Sequence, residues 1–165
     1  METKLIILRG NSGSGKTTIA KSLQNHFGEG TLLVSQDMVR RDMLMVRDRE
    51  GNISLELIKQ ITEYGKDRCK IVILEGIFKK QLYEKMLLDL ILFYNNNVYV
   101  YYFDLPFEET VQRHNSRSLA KVFGEDSLKS WWLPEDHLGV EGEKALTKDM
   151  TQKDIKNLIL QQLEV

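Results

Sequence analysis

A glycine-rich stretch close to the amino terminus has the residue types and the spacing needed to bind phosphate groups. Residues 10–17 read Gly-Asn-Ser-Gly-Ser-Gly-Lys-Thr and fit the pattern G-x-x-x-x-G-K-[ST]. Glycine has no Cβ, so the backbone N–H groups of such a loop can approach an anion closely. In this pattern Lys16 reaches the β- and γ-phosphates, and the Thr17 hydroxyl is a ligand of Mg²⁺. The candidate donor-binding residues are Gly10, Asn11, Ser12, Gly13, Ser14, Gly15, Lys16, Thr17 and Thr18.

The sequence on either side of this loop supports the interpretation. Leu5–Leu8 is a short apolar run typical of a buried strand, and a helical pattern over Lys16–Phe27 follows the loop. A helix that begins here directs its unpaired N–H groups and its positive dipole end towards the phosphates. A glycine-rich turn without a ligand is the alternative, and the complete match between a strand and a helix disfavours it.

A second candidate site follows the predicted second strand, Thr31–Ser35. Asp37 would start a helix, with Arg40 and Arg41 one turn further along the same face. Open α/β sheets bind ligands at the carboxyl ends of their strands, so a carboxylate beside guanidinium groups could receive an acceptor there. A helix-terminal Asp with solvated arginines is an equally good interpretation of these residues alone, because exposed ion pairs are common and nearly neutral in energy.

Glu75 ends the third predicted strand, Lys70–Gly76. The continuous apolar run of this strand indicates burial on both faces, as in a parallel sheet. At the carboxyl edge of that sheet, Glu75 could hold a water molecule on Mg²⁺ or bind the acceptor. The alternative is a strand-end carboxylate in solvent.

Arg113 and Arg117 are four residues apart and share one face of the helix predicted from Phe107. Two arginines presented together can neutralise phosphoryl oxygens as charge develops during transfer. The helical pattern of apolar residues becomes irregular between Ser118 and Leu133, which predicts a lid over about residues 113–135.

Four residues near the predicted lid receive no role in the chemistry. We expect Trp131 and Trp132 to anchor the lid by packing, and stacking on a base is the less favoured alternative. Asp136 and His137 lack the neighbouring ligands that a metal site needs.

The composition of the whole chain limits the classes of protein to consider. A length of 165 residues predicts one domain, 1–165. A net charge of −1 argues against a general nucleic-acid coat, and the one cysteine excludes an internal disulfide. No apolar run approaches the length of a membrane span, and the first predicted strand begins too early for a signal peptide. We therefore expect a cytoplasmic protein without a membrane partner.

Predicted strands and helices alternate along the chain, which indicates an α/β fold with a parallel sheet between helical layers. A helix over Ile53–Tyr64 should direct Ile58 and Tyr64 inward. The remaining predicted elements are a helix over Lys79–Tyr94, strands over Val98–Asp104 and Glu143–Thr147, and a closing helix capped by Thr151 and Asp154.

Three segments resemble a known group of enzymes. With the phosphate-binding loop first, the chain resembles the small P-loop kinase superfamily, and within it the kinase domain of phage-type polynucleotide kinases and the related zeta-toxin-like kinases. The segments that carry the resemblance are Gly10–Thr17, Ser35–Arg40 and Phe103–Arg117. The resemblance implies a three-layer fold whose five-stranded parallel sheet has the order 2-3-1-4-5. It also implies that Asp37 is the general base, that Arg40 holds an anionic group of the acceptor, and that Arg113 and Arg117 clamp the nucleoside triphosphate.

The function expected from these features is phosphoryl transfer from ATP, with Mg²⁺, to a hydroxyl group. Lys16, Asp37, Arg113 and Arg117 are the candidate catalytic residues, and Asp37, Arg40, Arg41 and Glu75 the candidate acceptor-binding residues. A small molecule, a nucleoside and a nucleic-acid 5′ end all remain open as the acceptor. A regulatory ATPase that binds a partner is the alternative function.

Overall fold

One parallel sheet forms the centre of the molecule. The computed structural model describes residues 2–116 and 124–164, and within these ranges five strands pair in the order β2-β3-β1-β4-β5. The strands are β1 (Lys4–Gly10), β2 (Leu32–Ser35), β3 (Ile71–Gly76), β4 (Val98–Asp104) and β5 (Lys144–Thr147). Every neighbouring pair is parallel. The predicted fold class and strand order are confirmed.

Helices cover both faces of this sheet. They are α1 (Lys16–Phe27), α2 (Ser54–Gly65), α3 (Lys80–Phe93), α4 (Phe107–Asn115), α5 (Glu125–Trp131) and α6 (Gln152–Gln162). Leu5 and Ile7 of β1 pack with residues of α2 and α3, whereas Ile6 and Leu8 pack with residues of α1 and α6. These four side chains are fully buried, and complete burial of each contributes about 1.5–3 kcal/mol. Among the described residues, the helices lack the apolar length that a transmembrane span requires.

Most element boundaries agree with the sequence-based expectation to within one or two residues. The observed bounds of α1 and β4 coincide with the predicted ones. Thr151 and Asp154 form the expected capping box at the start of α6. Because local signals set these boundaries, they could be predicted from the sequence.

The inward orientation predicted for Tyr64 is wrong. Tyr64 is 64% exposed, and the guanidinium carbon of Arg68 lies 4.6 Å from the centre of its ring. The buried residues of α2 are Ser54, Ile58, Thr62 and Gly65. Tyr64 follows Thr62 by two residues, which places it well around the helix from this buried stripe.

The helix expected after Asp37 is a π-helix rather than an α-helix. It spans Met38–Met43, and the Leu44 N–H donates to the Val39 carbonyl at 3.1 Å. Such turns are rare and occur frequently at functional sites. Because all strands run in the same direction, this segment begins at the same sheet edge as the loop that follows β1.

Candidate active site

The glycine-rich loop joins β1 to α1 in a conformation that depends on its glycines. Gly13 and Gly15 have φ angles of 78° and 100°, which side chains rarely permit. A Cβ on Gly13 would also lie 2.8 Å from the Thr110 carbonyl oxygen of α4. No side chain among the described residues caps the α1 N-terminus at Gly15. Its backbone N–H groups and positive dipole end therefore suit an anion.

Lys16 is buried within the curve of this loop. Its Nζ donates to the Asn11 carbonyl at 2.7 Å and to Ser14 Oγ at 3.1 Å. Both acceptors are neutral oxygens, so phosphate oxygens would be stronger partners for the ammonium group. The ammonium group is thus held inside the predicted phosphate site.

Thr17 and Glu75 bring two kinds of oxygen ligand together. The Thr17 hydroxyl, in the first turn of α1, donates to Glu75 Oε1 near the end of β3 at 3.2 Å. Glu75 is only 3% exposed, so the alternative of a solvent-exposed carboxylate does not hold. Mg²⁺ prefers oxygen ligands and commonly takes one or two from the protein and the rest from phosphates and water. This pair of side chains fits that requirement.

The structure places Arg40 and Arg41 beside Asp37. Arg40 Nη2 lies 3.3 Å and Arg41 Nε 3.6 Å from Asp37 Oδ1. The Asp37 side chain is 59% exposed. Arg40 is much more buried, and its Nη1 donates to the Val46 carbonyl at 3.1 Å. The carboxylate therefore faces solvent at the sheet edge, next to an arginine that the following loop holds in place.

Arg113 extends from α4 to the glycine-rich loop. Its Nη1 donates to the Ser14 carbonyl at 2.8 Å, and its Nε donates to Glu109 Oε1 at 3.0 Å. Its guanidinium group is therefore positioned over the loop that would hold the phosphates. The second predicted arginine, Arg117, lies outside the described residues, as do residues 118–123 of the predicted lid.

A cleft of about 310 Å³ adjoins the loop. It is lined by residues that include Gly15, Thr18, Phe103, Arg113, Met150 and Ile155. A larger cleft, about 530 Å³, lies at the amino ends of the strands, beside Lys4 and Ile71. That second cleft contains none of the loop residues, so it plays no part in the site.

Arg9 is a residue of this region that the sequence analysis missed. It is 0% exposed, and its guanidinium donates to the Asp136 carbonyl at 2.9 Å and to the Phe78 carbonyl at 2.8 Å. Asp136 Oδ2 lies 3.2 Å and Glu143 Oε1 3.5 Å from it. Burial lowers the pKa of Arg9, while the two carboxylates oppose that shift. The sequence did contain a signal for this residue, because Arg9 directly follows the apolar run Leu5–Leu8. A charge buried at the end of such a strand needs a partner of opposite charge.

The segment from Trp132 to His137 packs against the loop and the neighbouring strand β4. Trp132 lies edge-on to Phe107, with ring centres 5.8 Å apart, in line with the expected packing role. The Asp136 N–H donates to the Tyr102 hydroxyl at 3.0 Å. His137 lies against the Tyr102 ring, and its Nε2 is 3.7 Å from Asp104 Oδ2. Within the described residues, no three His, Cys, Asp or Glu side chains form a metal-binding cluster.

Comparisons with known proteins identify both a family and a fold. The family described as AAA domain matches residues 5–129. A gluconokinase from Sinorhizobium meliloti superposes with a TM-score of 0.72 at 14% identity, covering 99% of this chain and 93% of that chain. The Mycobacterium tuberculosis APS kinase CysC, solved with AMPPNP and APS, has a TM-score of 0.71 at 14% identity, with 99% of both chains covered.

A more distant likeness involves nucleic-acid repair. The Pnkp1/Rnl/Hen1 RNA repair complex matches with a TM-score of 0.52 at 24% identity, covering 78% of this chain and 42% of that one. A comparison with curated protein sequences found no significant match. At these identities the structural likeness shows a shared fold, that of the P-loop kinases.

Proposed function

This chain belongs to the AAA domain family, and we propose that it is a P-loop kinase that transfers the γ-phosphoryl group of ATP to a hydroxyl group. One observation carries the proposal. Lys16 and the Thr17–Glu75 pair lie at the same sheet edge as the exposed carboxylate of Asp37. A phosphate cradle and a candidate base are thus present on one surface.

Each of these residues has a distinct task in the proposed reaction. Lys16 binds the β- and γ-phosphates of the donor. Asp37 accepts the proton of the acceptor hydroxyl as its oxygen attacks the γ-phosphorus, and ADP leaves. Arg113, and Arg117 with it, stabilise the charge that develops on the phosphoryl oxygens. Catalysis of this kind relies mainly on positioning and electrostatics.

Thr17 and Glu75 are the residues that would hold Mg²⁺. When bound, the ion neutralises part of the charge on the β- and γ-phosphates. The Thr17 hydroxyl and the Glu75 carboxylate already lie within hydrogen-bonding distance, so little rearrangement of the protein is needed.

The acceptor in this proposal is an alcohol with an anionic group close to its hydroxyl. Arg40 would bind that group, because its guanidinium is fixed by the Val46 carbonyl and still reaches Asp37. Phage-type polynucleotide kinases and zeta-toxin-like kinases remain the group whose motifs this chain resembles. A small phosphorylated alcohol, a nucleotide and a nucleic-acid 5′ end all meet the requirement. Residues 1–165 would act as one kinase domain with a lid over about 113–135.

The test is a transfer assay with γ-labelled ATP and Mg²⁺ against sugars, nucleosides, aminoglycoside-like alcohols, small phosphorylated alcohols and 5′-hydroxyl oligonucleotides. We expect the wild-type chain to label an acceptor that carries an anionic group, and Lys16→Ala to label none. Lys21→Ala is the matched control, since Lys21 is exposed on the same helix. Label found only as free phosphate would contradict the proposal and favour the regulatory ATPase.

A further inference from the structure

Asn11, the second residue of the glycine-rich loop, pairs with the backbone of Leu133 in both directions. Its Nδ2 donates to the Leu133 carbonyl at 2.6 Å, and its Oδ1 accepts from the Leu133 N–H at 2.7 Å. The side chain is buried. Both polar atoms of the carboxamide are therefore directed at Leu133.

The backbone of the same residue contacts the candidate catalytic lysine. The Asn11 carbonyl accepts a hydrogen bond from Lys16 Nζ at 2.7 Å. Asn11 thus lies between Lys16, which it meets through its backbone, and Leu133, which it meets through its side chain. The hydrogen bonds of the carboxamide to Leu133 therefore restrain the residue whose carbonyl accepts from the ammonium group.

Leu133 is a firm anchor because the chain on both sides of it is held. On one side, Trp132 packs against Phe107. On the other side, Asp136 binds the buried Arg9 and accepts from the Lys80 N–H at the start of α3 at 2.9 Å. These contacts reach β1, α3 and α4, so Leu133 is tied to the body of the protein at several points.

From this arrangement we infer that Asn11 is a positioning residue. It holds the loop, and through the loop Lys16, against the segment Leu133–Asp136. The inference rests on the proposed function, because it assumes that Lys16 binds a triphosphate. It assigns a role to a segment that begins within the last residues of the predicted lid and that the motif alone does not include. Displacement by about 1 Å at a phosphoryl-transfer site can cost roughly 100-fold in rate, so an anchor of this kind has measurable consequences.

The test measures the binding of AMPPNP with Mg²⁺ by calorimetry for the wild-type chain, Asn11→Ala, Lys16→Ala and the double variant. We expect Asn11→Ala to weaken binding about 10-fold or more, and to add little once Lys16 is absent. Such non-additivity is the sign of residues that act as one unit. A merely structural role would give the same loss in both backgrounds.

Asn97→Ala is the matched control, because the Asn97 Nδ2 also donates to a backbone carbonyl, that of Thr3, at 3.0 Å. Asn97 lies at the opposite sheet edge, so its variant should bind AMPPNP like the wild type. Asn11→Ser is the milder variant to use if Asn11→Ala does not fold. If Asn11→Ala binds AMPPNP like the wild type, or if the losses of the two single variants add up in the double variant, the inference is overturned and the proposed function is not. Failure of the wild-type chain to bind AMPPNP would overturn the proposed function and the inference together.

Discussion

Two clusters of arginine and carboxylate lie at the same edge of the sheet, and they differ in almost every physical respect. In the first, Arg9 is 0% exposed and contacts both Asp136 and Glu143. In the second, Asp37 is 59% exposed and contacts Arg40 and Arg41. The first joins Arg9 to a segment that begins at Asp136, 127 positions away, whereas the second is formed within the five consecutive residues Asp37–Arg41.

The difference indicates which cluster can take part in chemistry. Removing one partner from a buried ion pair leaves an uncompensated charge and costs about 3–5 kcal/mol, so Arg9 cannot exchange its carboxylates for a substrate. An exposed pair contributes only about 0–1 kcal/mol, so Asp37 can leave its arginines and meet a hydroxyl group at little cost. The buried cluster therefore holds the sheet edge, and the exposed one is available to an acceptor.

Among substitutions in the two clusters, Asp37→Asn should give the largest effect on activity. We expect phosphoryl transfer to fall by about 10²–10⁴, the range typical of losing a general base, with AMPPNP binding and thermal stability unchanged. Asp42→Asn is the control, since Asp42 is exposed in the same π-helical segment. Transfer at the wild-type rate in Asp37→Asn would remove Asp37 as the base.

Asp136→Ala should give the largest effect on stability. It leaves Arg9 with Glu143 as its remaining carboxylate, and we expect a loss of about 3 kcal/mol in the free energy of unfolding, measured with urea. The control is Asp89→Ala, which removes a surface pair with Lys85 at 3.0 Å and should cost less than about 1 kcal/mol. Equal losses in the two variants would contradict the contrast between buried and exposed clusters.

The two arginines beside Asp37 should contribute differently to the binding of the acceptor. Arg40 is 13% exposed and bonded to the Val46 carbonyl, so its guanidinium is pre-positioned, whereas Arg41 is exposed. We expect Arg40→Ala to raise the KM for the acceptor about 10-fold, the scale of one charge-assisted hydrogen bond, and Arg41→Ala to change it less than about 3-fold. Steady-state kinetics with the acceptor identified by the transfer assay will measure both. A larger increase in KM for Arg41→Ala than for Arg40→Ala would assign the contact with the anionic group to Arg41.

The smallest effect is expected for the acid stability of the fold, at Asp154. This exposed carboxylate lies outside both clusters and serves as a comparison with them. Hydrogen bonds from the Thr151 side chain and backbone lower the pKa of Asp154 from its usual 3.8. A lowered pKa stabilises the fold above the unfolded value, and that contribution is lost as pH falls through the folded value. Melting curves between pH 7 and pH 3 should therefore show a slightly steeper acid loss for the wild type than for Asp154→Asn. Asp149→Asn is the control, and identical acid limbs for wild type and Asp154→Asn would contradict the prediction.

Sequence reasoning succeeded where the determining contacts are local. The start of α6 could be predicted because Thr151 and Asp154 are three residues apart, and α1 because its apolar spacing and Gly28 define its ends. It failed for Tyr64, since helical spacing alone did not show where the buried stripe of α2 would lie. It also left the surroundings of Glu75 open, and burial against Thr17 was visible only in the folded chain.

Local sequence patterns were enough to predict the order of the elements, the P-loop motif and the grouping of Asp37 with Arg40 and Arg41. Each of these depends on residues that are neighbours along the chain or on one helix face. The contact of Arg9 with Asp136, 127 positions away, and that of Asn11 with Leu133, 122 positions away, are visible only in the folded chain. Contacts across such separations leave no periodic pattern, because they exist only when several strands and loops converge at one edge of the sheet.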